Sequence, residues 1–227
     1  MQFITFASHD NYIDAGNRLL KQAAELNVFD NIYLNTVKDL EGAFWDKHSK
    51  FIMENPKGFG YWIWKPYLIK KKMDEMEDGD ILLYLDSGCE IDCREREYFM
   101  EYVEYVKKDY ILGTLGKTTV EESCKMDLLL HIGIDDSQLT TRMHQAGANL
   151  IYINSVTRNL INKWYELSCN YYFINDESIC KNREAFKEHR HDQSVYSLLT
   201  KKYGIYSKHY LDKCIKCLRN RGGVSLL

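Results

Sequence analysis

The stretch Gly79-Asp80-Ile81-Leu82-Leu83-Tyr84-Leu85-Asp86-Ser87-Gly88 decides the fold class. Ile81 to Leu85 is an unbroken apolar run between two groups of turn-forming residues, the pattern of a strand covered on both faces. Such strands belong to sheets flanked by helices, and the residue at their C-terminal end lies where doubly wound sheets bind ligands. Asp86 holds that place. Asp-Ser-Gly is also good turn chemistry, in which the carboxylate bonds its own backbone. The stretch alone leaves a turn role and a ligand-binding role open.

Upstream, Phe3 to Ala7 reads as a first strand and Ile13 to Leu26 as a helix, with Ile13, Ala15, Leu19, Leu20, Ala23 and Ala24 mostly at helical spacing. Asn31 to Asn35 reads as a short strand, Phe44 to Glu54 as a helix stopped by Asn55-Pro56, and Tyr67 to Met76 as a helix with Pro66 at its first turn. Downstream, Glu95 to Lys107 reads as a helix and Tyr110 to Gly113 as a strand. Thr119-Val120-Glu121-Glu122 has capping-box spacing and opens a helix running through His131. Ala148 to Asn154 is a further strand, Val156 to Cys169 a helix, and Asp192 to Tyr203 a helix that Gly204 stops. Alternating strands and helices with long connections predict an α/β fold whose central sheet is mainly parallel. No repeat, low-complexity tract or linker interrupts the chain, so residues 1–227 read as one domain.

Composition narrows the partners. With 45% hydrophobic residues, 227 residues can bury a full core. Thirty basic and 33 acidic residues are spread along the chain for a net charge of -3, which argues against a nucleic-acid surface and gives no polybasic membrane patch. A small-molecule partner is expected. Met1 to Phe6 enters a strand at once, with no signal-peptide pattern, and no apolar run approaches membrane-spanning length. Seven cysteines and no Asn-x-Ser/Thr sequon favour reduced thiols in the cytoplasm. Cys214-Ile215-Lys216-Cys217 is a lone C-x-x-C without a second pair, weak evidence for zinc or redox chemistry.

Three segments carry groups suited to chemistry. The loop Phe6-Ala7-Ser8-His9-Asp10-Asn11-Tyr12 combines hydrogen-bonding side chains with an aromatic ring, as a nucleotide base requires, although Asp10 or Asn11 also suits a helix N-cap. It lacks the G-x-G-x-x-G of a dinucleotide fold. Gly116-Lys117-Thr118 imitates the end of a P-loop, but the first glycine of that motif would fall on Ile111, so Lys117 reads as a solvated loop residue. His189-Arg190-His191-Asp192-Gln193 places polar groups at a helix entry, where capping is the simpler role. His209, near a strand end, reads in isolation as a surface or packed residue.

Together these segments resemble nucleotide-sugar-dependent glycosyltransferases of the GT-A fold, the retaining family that includes glycogenin and the bacterial lipopolysaccharide galactosyltransferases. The loop after the first strand is similar to that family's uridine-binding loop, which implies nucleotide-binding roles for Ala7, Ser8, His9, Asn11 and Tyr12. Tyr84-Leu85-Asp86-Ser87-Gly88 falls where the family has Tyr-Leu-Asp-x-Asp, implying Asp86 as a ligand of Mn²⁺ or Mg²⁺, with His209 as a second ligand and Ser87 and Gly88 beside the sugar. Gln145-Ala146-Gly147 resembles the family's segment at the transferred sugar, and Asp192-Gln193 its pair at the reacting face. Lys125 and Asp127 are expected near donor sugar or acceptor, and Lys65 near the phosphates. Gly58-Phe59-Gly60-Tyr61-Trp62-Ile63-Trp64-Lys65-Pro66 looks like a signature of a related group found beside capsule and surface-glycan genes.

The resemblance implies transfer of a hexose-type sugar from a nucleotide diphosphate, a UDP-sugar by the loop, to a glycan acceptor with retention. The chain departs from the pattern at Gly88, where the second acidic ligand is missing. Glu90 or Asp92 then substitutes, or the metal is held weakly, or none is used. A nucleotidyltransferase of related architecture would need a basic, glycine-rich first loop, which Ala7 to Tyr12 does not supply. A non-catalytic nucleotide-sugar-binding module is the remaining alternative, suggested by Gly88.

Overall fold

The computed structural model describes residues 1–227. Strands β1 (Gln2–Ala7), β2 (Asn31–Thr36), β3 (Ile81–Leu85), β5 (Ile111–Thr119), β6 (Arg142–Tyr152) and β7 (Tyr206–Tyr210) form one sheet in the order β2-β1-β3-β6-β5-β7. β1 pairs in parallel with β2 and β3, and β5 in parallel with β7. β6 alone runs against its neighbours β3 and β5. The expected α/β sheet, mainly parallel and flanked by helices, is what the chain forms. A second ribbon, β4 (Glu90–Ile91) with β8 (Ile215–Lys216), is too short to signal itself in sequence.

Alternation along β3 sends side chains to two cores. Leu82 and Tyr84 face the larger core, with α4 (Trp64–Asp74), α8 (Ser155–Ser168) and α9 (Asp192–Tyr203) packed on it. Ile81, Leu83 and Leu85 face the smaller core, under α1 (Asp10–Leu26) and α5 (Arg96–Asp109). All five residues of β3 are buried, as the continuous apolar run requires.

Two connections differ from expectation. β5 continues to Thr119 and β6 begins at Arg142, so Gly113 to Thr119 is strand rather than loop, with Lys117 exposed on it. The Thr119–Glu122 capping box is present, but the helix it opens, α6 (Val120–Ser123), stops at Cys124, and α7 (Met126–Ile132) starts anew. Lys125 is drawn out of the helical path to reach buried partners described below. No helix is long and apolar enough to cross a membrane.

Between α2 (Gly42–Glu54) and α4, the chain makes one left-handed turn, α3 (Gly58–Tyr61). All five residues from Gly58 to Trp62 have φ between 51° and 79°. Left-handed backbone costs roughly 1–2 kcal/mol for each non-glycine residue, here Phe59, Tyr61 and Trp62. The glycines are required by space as well as by φ: a Cβ on Gly58 would fall inside the Trp62 indole, and one on Gly60 would lie 2.6 Å from Ile52 Cγ1. Gly60 N–H donates to Asn55 O at 2.9 Å and the Trp64 indole N–H to Gly58 O at 3.0 Å. The turn therefore ends with Trp64 and Lys65 in fixed places.

Candidate active site

Lys65 is the centre of the site. Trp64 stacks on Phe6 of β1, ring centroids 4.0 Å apart, which brings the first turn of α4 over the C-terminal end of the sheet. Lys65 Nζ then lies 3.1 Å from Asp86 Oδ1 and 3.4 Å from Asp192 Oδ2. Tyr84 donates its hydroxyl to Asp86 Oδ1 at 2.6 Å. The Asp86 backbone N–H donates to Gly147 O at 2.8 Å. A Cβ at Gly147 would collide with Asp86 Oδ2, so that glycine leaves room for the carboxylate. The turn role of this segment falls to the backbone, through Cys89 N–H to Asp86 O at 2.8 Å. The carboxylate itself is turned to Lys65.

One ammonium facing two carboxylates leaves surplus negative charge. Asp192 is the carboxyl less able to carry it, because its side chain is 5% exposed against 40% for Asp86. Burial pushes the Asp192 carboxyl up to about 7, with Asp86 adding to the effect and Lys65 opposing it. Burial also pulls Lys65 toward its neutral form, but the charges of Asp192 and Asp86 outweigh it and hold Lys65 above its usual value.

The entry to α9 is strained in the same direction as the Gly58 turn. His191 has φ 53°, ψ -125° and makes no side-chain cap. Tyr61 and Trp62 stack on its ring at 4.6 and 5.5 Å, and its Nδ1 lies 2.8 Å from Ile174 O. The Trp164 indole N–H donates to Asp192 O at 3.0 Å. Strain held by surrounding packing is a feature of functional sites, and here both strained segments converge on Lys65 and Asp192. Gln193 is half-buried beside them, and its backbone N–H donates to Arg190 O.

β1 and β3 are parallel neighbours, so the loop after β1 lies beside Asp86 to Gly88. Neither Asp10 nor Asn11 caps α1: His9 is the N-cap residue and no side chain bonds the helix start. Ser8 Oγ lies 2.8 Å from His9 Nδ1, His9 meets the Tyr12 ring edge-on, and His9, Asp10 and Asn11 are exposed. Ala7 is buried at the end of β1. Ser87 is buried beside Asp86, and Gln145 accepts a hydrogen bond from Thr114 Oγ1 at 2.6 Å on the face of β6 that also carries Gly147.

Three expected residues lie elsewhere. His209 sits on β7, three places from β3 in the sheet, roughly 14 Å at the usual strand spacing. Its ring stacks on Tyr105 of α5 at 3.9 Å. Lys125 is fully buried and donates to Tyr172 O, to Asn175 O at 3.2 Å, to Asn175 Oδ1 at 3.0 Å and to Glu177 O at 2.7 Å. Asp127 accepts from the Tyr172 hydroxyl at 2.6 Å and from Cys180 N–H at 3.0 Å. Both residues fasten the long segment between α8 and α9.

A divalent cation does not fit the residues present. Hard cations take six or more oxygen ligands. Asp86 is engaged by Lys65 and Tyr84, and His209 lies on β7, three strands away from β3. The two substitutes for a second acidic ligand are also engaged: Glu90 accepts from Gln22, Asn220, Ser225 and Leu226, and Asp92 is gripped by Arg94 Nε and Nη2, each at 2.7 Å. No three His, Cys, Asp or Glu side chains converge. The expected ligand pair Asp86 and His209 is thus not assembled.

Two contributors have no sequence signal. Tyr84 enters only as part of the Tyr-Leu-Asp segment with no role of its own, and Arg18 as one polar position in a helix, yet Arg18 is 4% exposed and donates to Ser87 O and Cys89 O, each at 2.9 Å.

No family model and no curated protein matches the sequence. Among solved structures, the galactosyltransferase LgtC in complex with donor and acceptor sugar analogues covers 100% of this chain and 84% of its own, with TM-score 0.51 and 15% identity. A glycosyltransferase involved in glycosylation of the major capsid of PBCV-1 covers 92% of this chain and 81% of its own, with TM-score 0.51 and 9% identity. At these identities the likeness shows the fold, which is that of the GT-A glycosyltransferases.

Proposed function

We propose that the chain is a single-domain glycosyltransferase that moves a hexose-type sugar from a UDP-sugar to a glycan acceptor with retention. The observation that carries this reading is the Lys65 ammonium shared between Asp86 at the end of β3 and Asp192 at the start of α9, beside an uncapped loop after β1. Arriving phosphate oxygens compete with the carboxylates for Lys65. The uracil packs on Tyr12, with His9, Asn11, Ser8 and the Ala7 backbone around it. Asp86 and Asp192, with Ser87, Gln145 and Gly147, hold the sugar, and Gln193 faces its anomeric carbon. As the anomeric C–O bond breaks, its electron pair leaves on the diphosphate. The acceptor oxygen forms the new bond, and its proton passes to the diphosphate, which becomes basic as it departs. Cationic groups stabilise that developing charge.

Mass-spectrometric detection of UDP released from a panel of UDP-hexoses tests the reaction, and UDP should raise the melting temperature more than ADP or GDP. Absence of turnover with every nucleotide sugar overturns the enzyme reading. Equal thermal shifts from the three nucleotides overturn the assignment of the base.

A further inference from the structure

The segment 218–227 lies across the place where the second acidic ligand would stand. Asn220 N–H donates to Gly88 O at 3.0 Å, and a Cβ on Gly88 would lie 3.2 Å from Arg219 Cα and 3.4 Å from Arg219 C. Glycine at 88 is therefore the contact point of this segment. Buried Arg18 ties the two together, donating to Ser87 O and Cys89 O on one side and to Asn220 O and Gly222 O on the other. Glu90, fully buried, accepts from Asn220 Nδ2 at 2.7 Å, from Ser225 Oγ and from Leu226 N–H at 3.1 Å.

This anchoring fixes where two arginines emerge. Arg221 lies over the Tyr12 ring, its guanidinium carbon 5.4 Å from the centroid, and Arg219 sits against Gly88. Both side chains are exposed, and the segment contains no acidic residue. The arginine ion pairs of the chain are made by Arg94, Arg158, Arg183 and Arg190, which leaves Arg219 and Arg221 without a carboxylate partner. A nucleoside stacked on Tyr12 would bring its phosphates near Arg221, and phosphates directed toward Lys65 would pass Gly88, against which the Arg219 backbone lies.

We propose that residues 218–227 form a basic strap in which Arg219 and Arg221, with Lys65, bind the diphosphate of the donor in the role that a divalent cation would otherwise fill. The proposal rests on the nucleotide-sugar reading of the site. Guanidinium groups suit it because they give paired, charge-assisted hydrogen bonds to phosphate oxygens and stay charged throughout the working pH range. They stabilise the electron pair left on the diphosphate when the anomeric C–O bond breaks.

The test is calorimetric titration of UDP and of uridine in EDTA, with the wild type, Arg219→Gln, Arg221→Gln and the double variant, each checked for an unchanged melting temperature. Each substitution should weaken UDP binding about tenfold and the double variant about a hundredfold, from the usual strength of charged hydrogen bonds. Uridine affinity should stay within about twofold in Arg219→Gln, since uridine has no phosphate for Arg219 to hold. Gly88→Ala, which pushes the strap backbone away, should weaken UDP with both arginines present. Unchanged UDP affinity in the double variant overturns the strap, as does wild-type UDP binding that appears only with Mn²⁺. In both cases turnover of a UDP-sugar leaves the transferase reading standing. A wild type that binds no nucleotide under any condition overturns that reading and the strap with it.

Discussion

Lys65 and Lys125 are both buried lysines close to an aspartate in sequence or space, and both entered the sequence reading as contacts of the donor. Their surroundings differ in kind. Lys65 faces two carboxylates and sits above its usual pKa despite burial. Lys125 faces carbonyl and amide oxygens, and burial, only partly offset by Asp127, Asp176 and Glu177, pulls it down to about 8. A lysine between carboxylates holds charge that an anionic ligand can take over. A lysine ringed by the backbone oxygens of one segment holds that segment together.

Replacing each lysine should separate the two roles. Lys65→Met should lower turnover by at least about a thousandfold, since both the diphosphate contact and the placement of the two aspartates depend on it. Lys125→Met should instead leave several buried oxygens unpaired and cost on the order of 3 kcal/mol of stability, with the segment 170–191 becoming a site of proteolytic cleavage. Turnover per folded molecule should change little. Urea unfolding, limited proteolysis and UDP release from a UDP-sugar read the three effects. A Lys125 variant that is fully stable and inactive would erase the distinction.

The pH dependence of stability sharpens the same contrast. The folded state keeps the Asp192 proton up to about pH 7, while the unfolded chain loses it near 4. The folded state therefore binds more protons in that window, and ionising Asp192 lowers stability as pH rises from about 4 to about 7. At Lys125 the folded state loses its proton near 8 and the unfolded chain near 10.4, so this group raises stability as pH climbs between those values. Buried His48, His189 and His191 are held down to about 4, 3 and 4 by desolvation, and half-buried His144 to about 3. They lower stability as pH falls below about 6.5, opposing Asp192. Asp192→Asn should therefore steepen the loss of stability on acidification from pH 7 to 4, and Lys125→Met should remove the rise above pH 8. Urea unfolding at pH 4.5, 7 and 9.5 checks both, and a slope unchanged by Asp192→Asn would place its pKa in the ordinary carboxylate range.

What could be read from sequence follows the same division. The end of β3 and the loop after β1 are legible because strand pattern and turn residues fix backbone position locally, whereas Gly147 is expected only from the family resemblance, its strand being read from Ala148. The link between Lys65 and Asp192 is tertiary: it needs the left-handed Gly58–Trp62 turn and the strained His191, neither of which has a periodic signature. Lys125, Asp127 and His209 match the expected order along the chain, but order does not determine where a side chain points. His209 turned to Tyr105, and Lys125 left the helical path for carbonyls of a segment about fifty residues away. Arg18 was invisible because its contacts are to backbone carbonyls, and the strap because it meets Glu90 and Gly88 from about 130 residues away, which no local pattern advertises.

The smallest effects compare two glycines, one in each region. Gly147 has no positive φ, and its importance is spatial: a methyl group there meets Asp86 Oδ2. Gly133 ends α7 beyond Lys125 with φ 67° and open space around its Cβ position. Gly133→Ala should cost about 1 kcal/mol of stability from left-handed backbone alone and leave turnover unchanged. Gly147→Ala should displace the carboxylate from Lys65 and Tyr84, reducing turnover by about tenfold or more with a stability change of similar size to that at Gly133. Because the two substitutions add the same methyl group at similar cost to folding, the ratio of their activities isolates Asp86 placement. Equal activities would mean that the Asp86 carboxylate tolerates displacement and that Lys65 and the strap carry the donor without it.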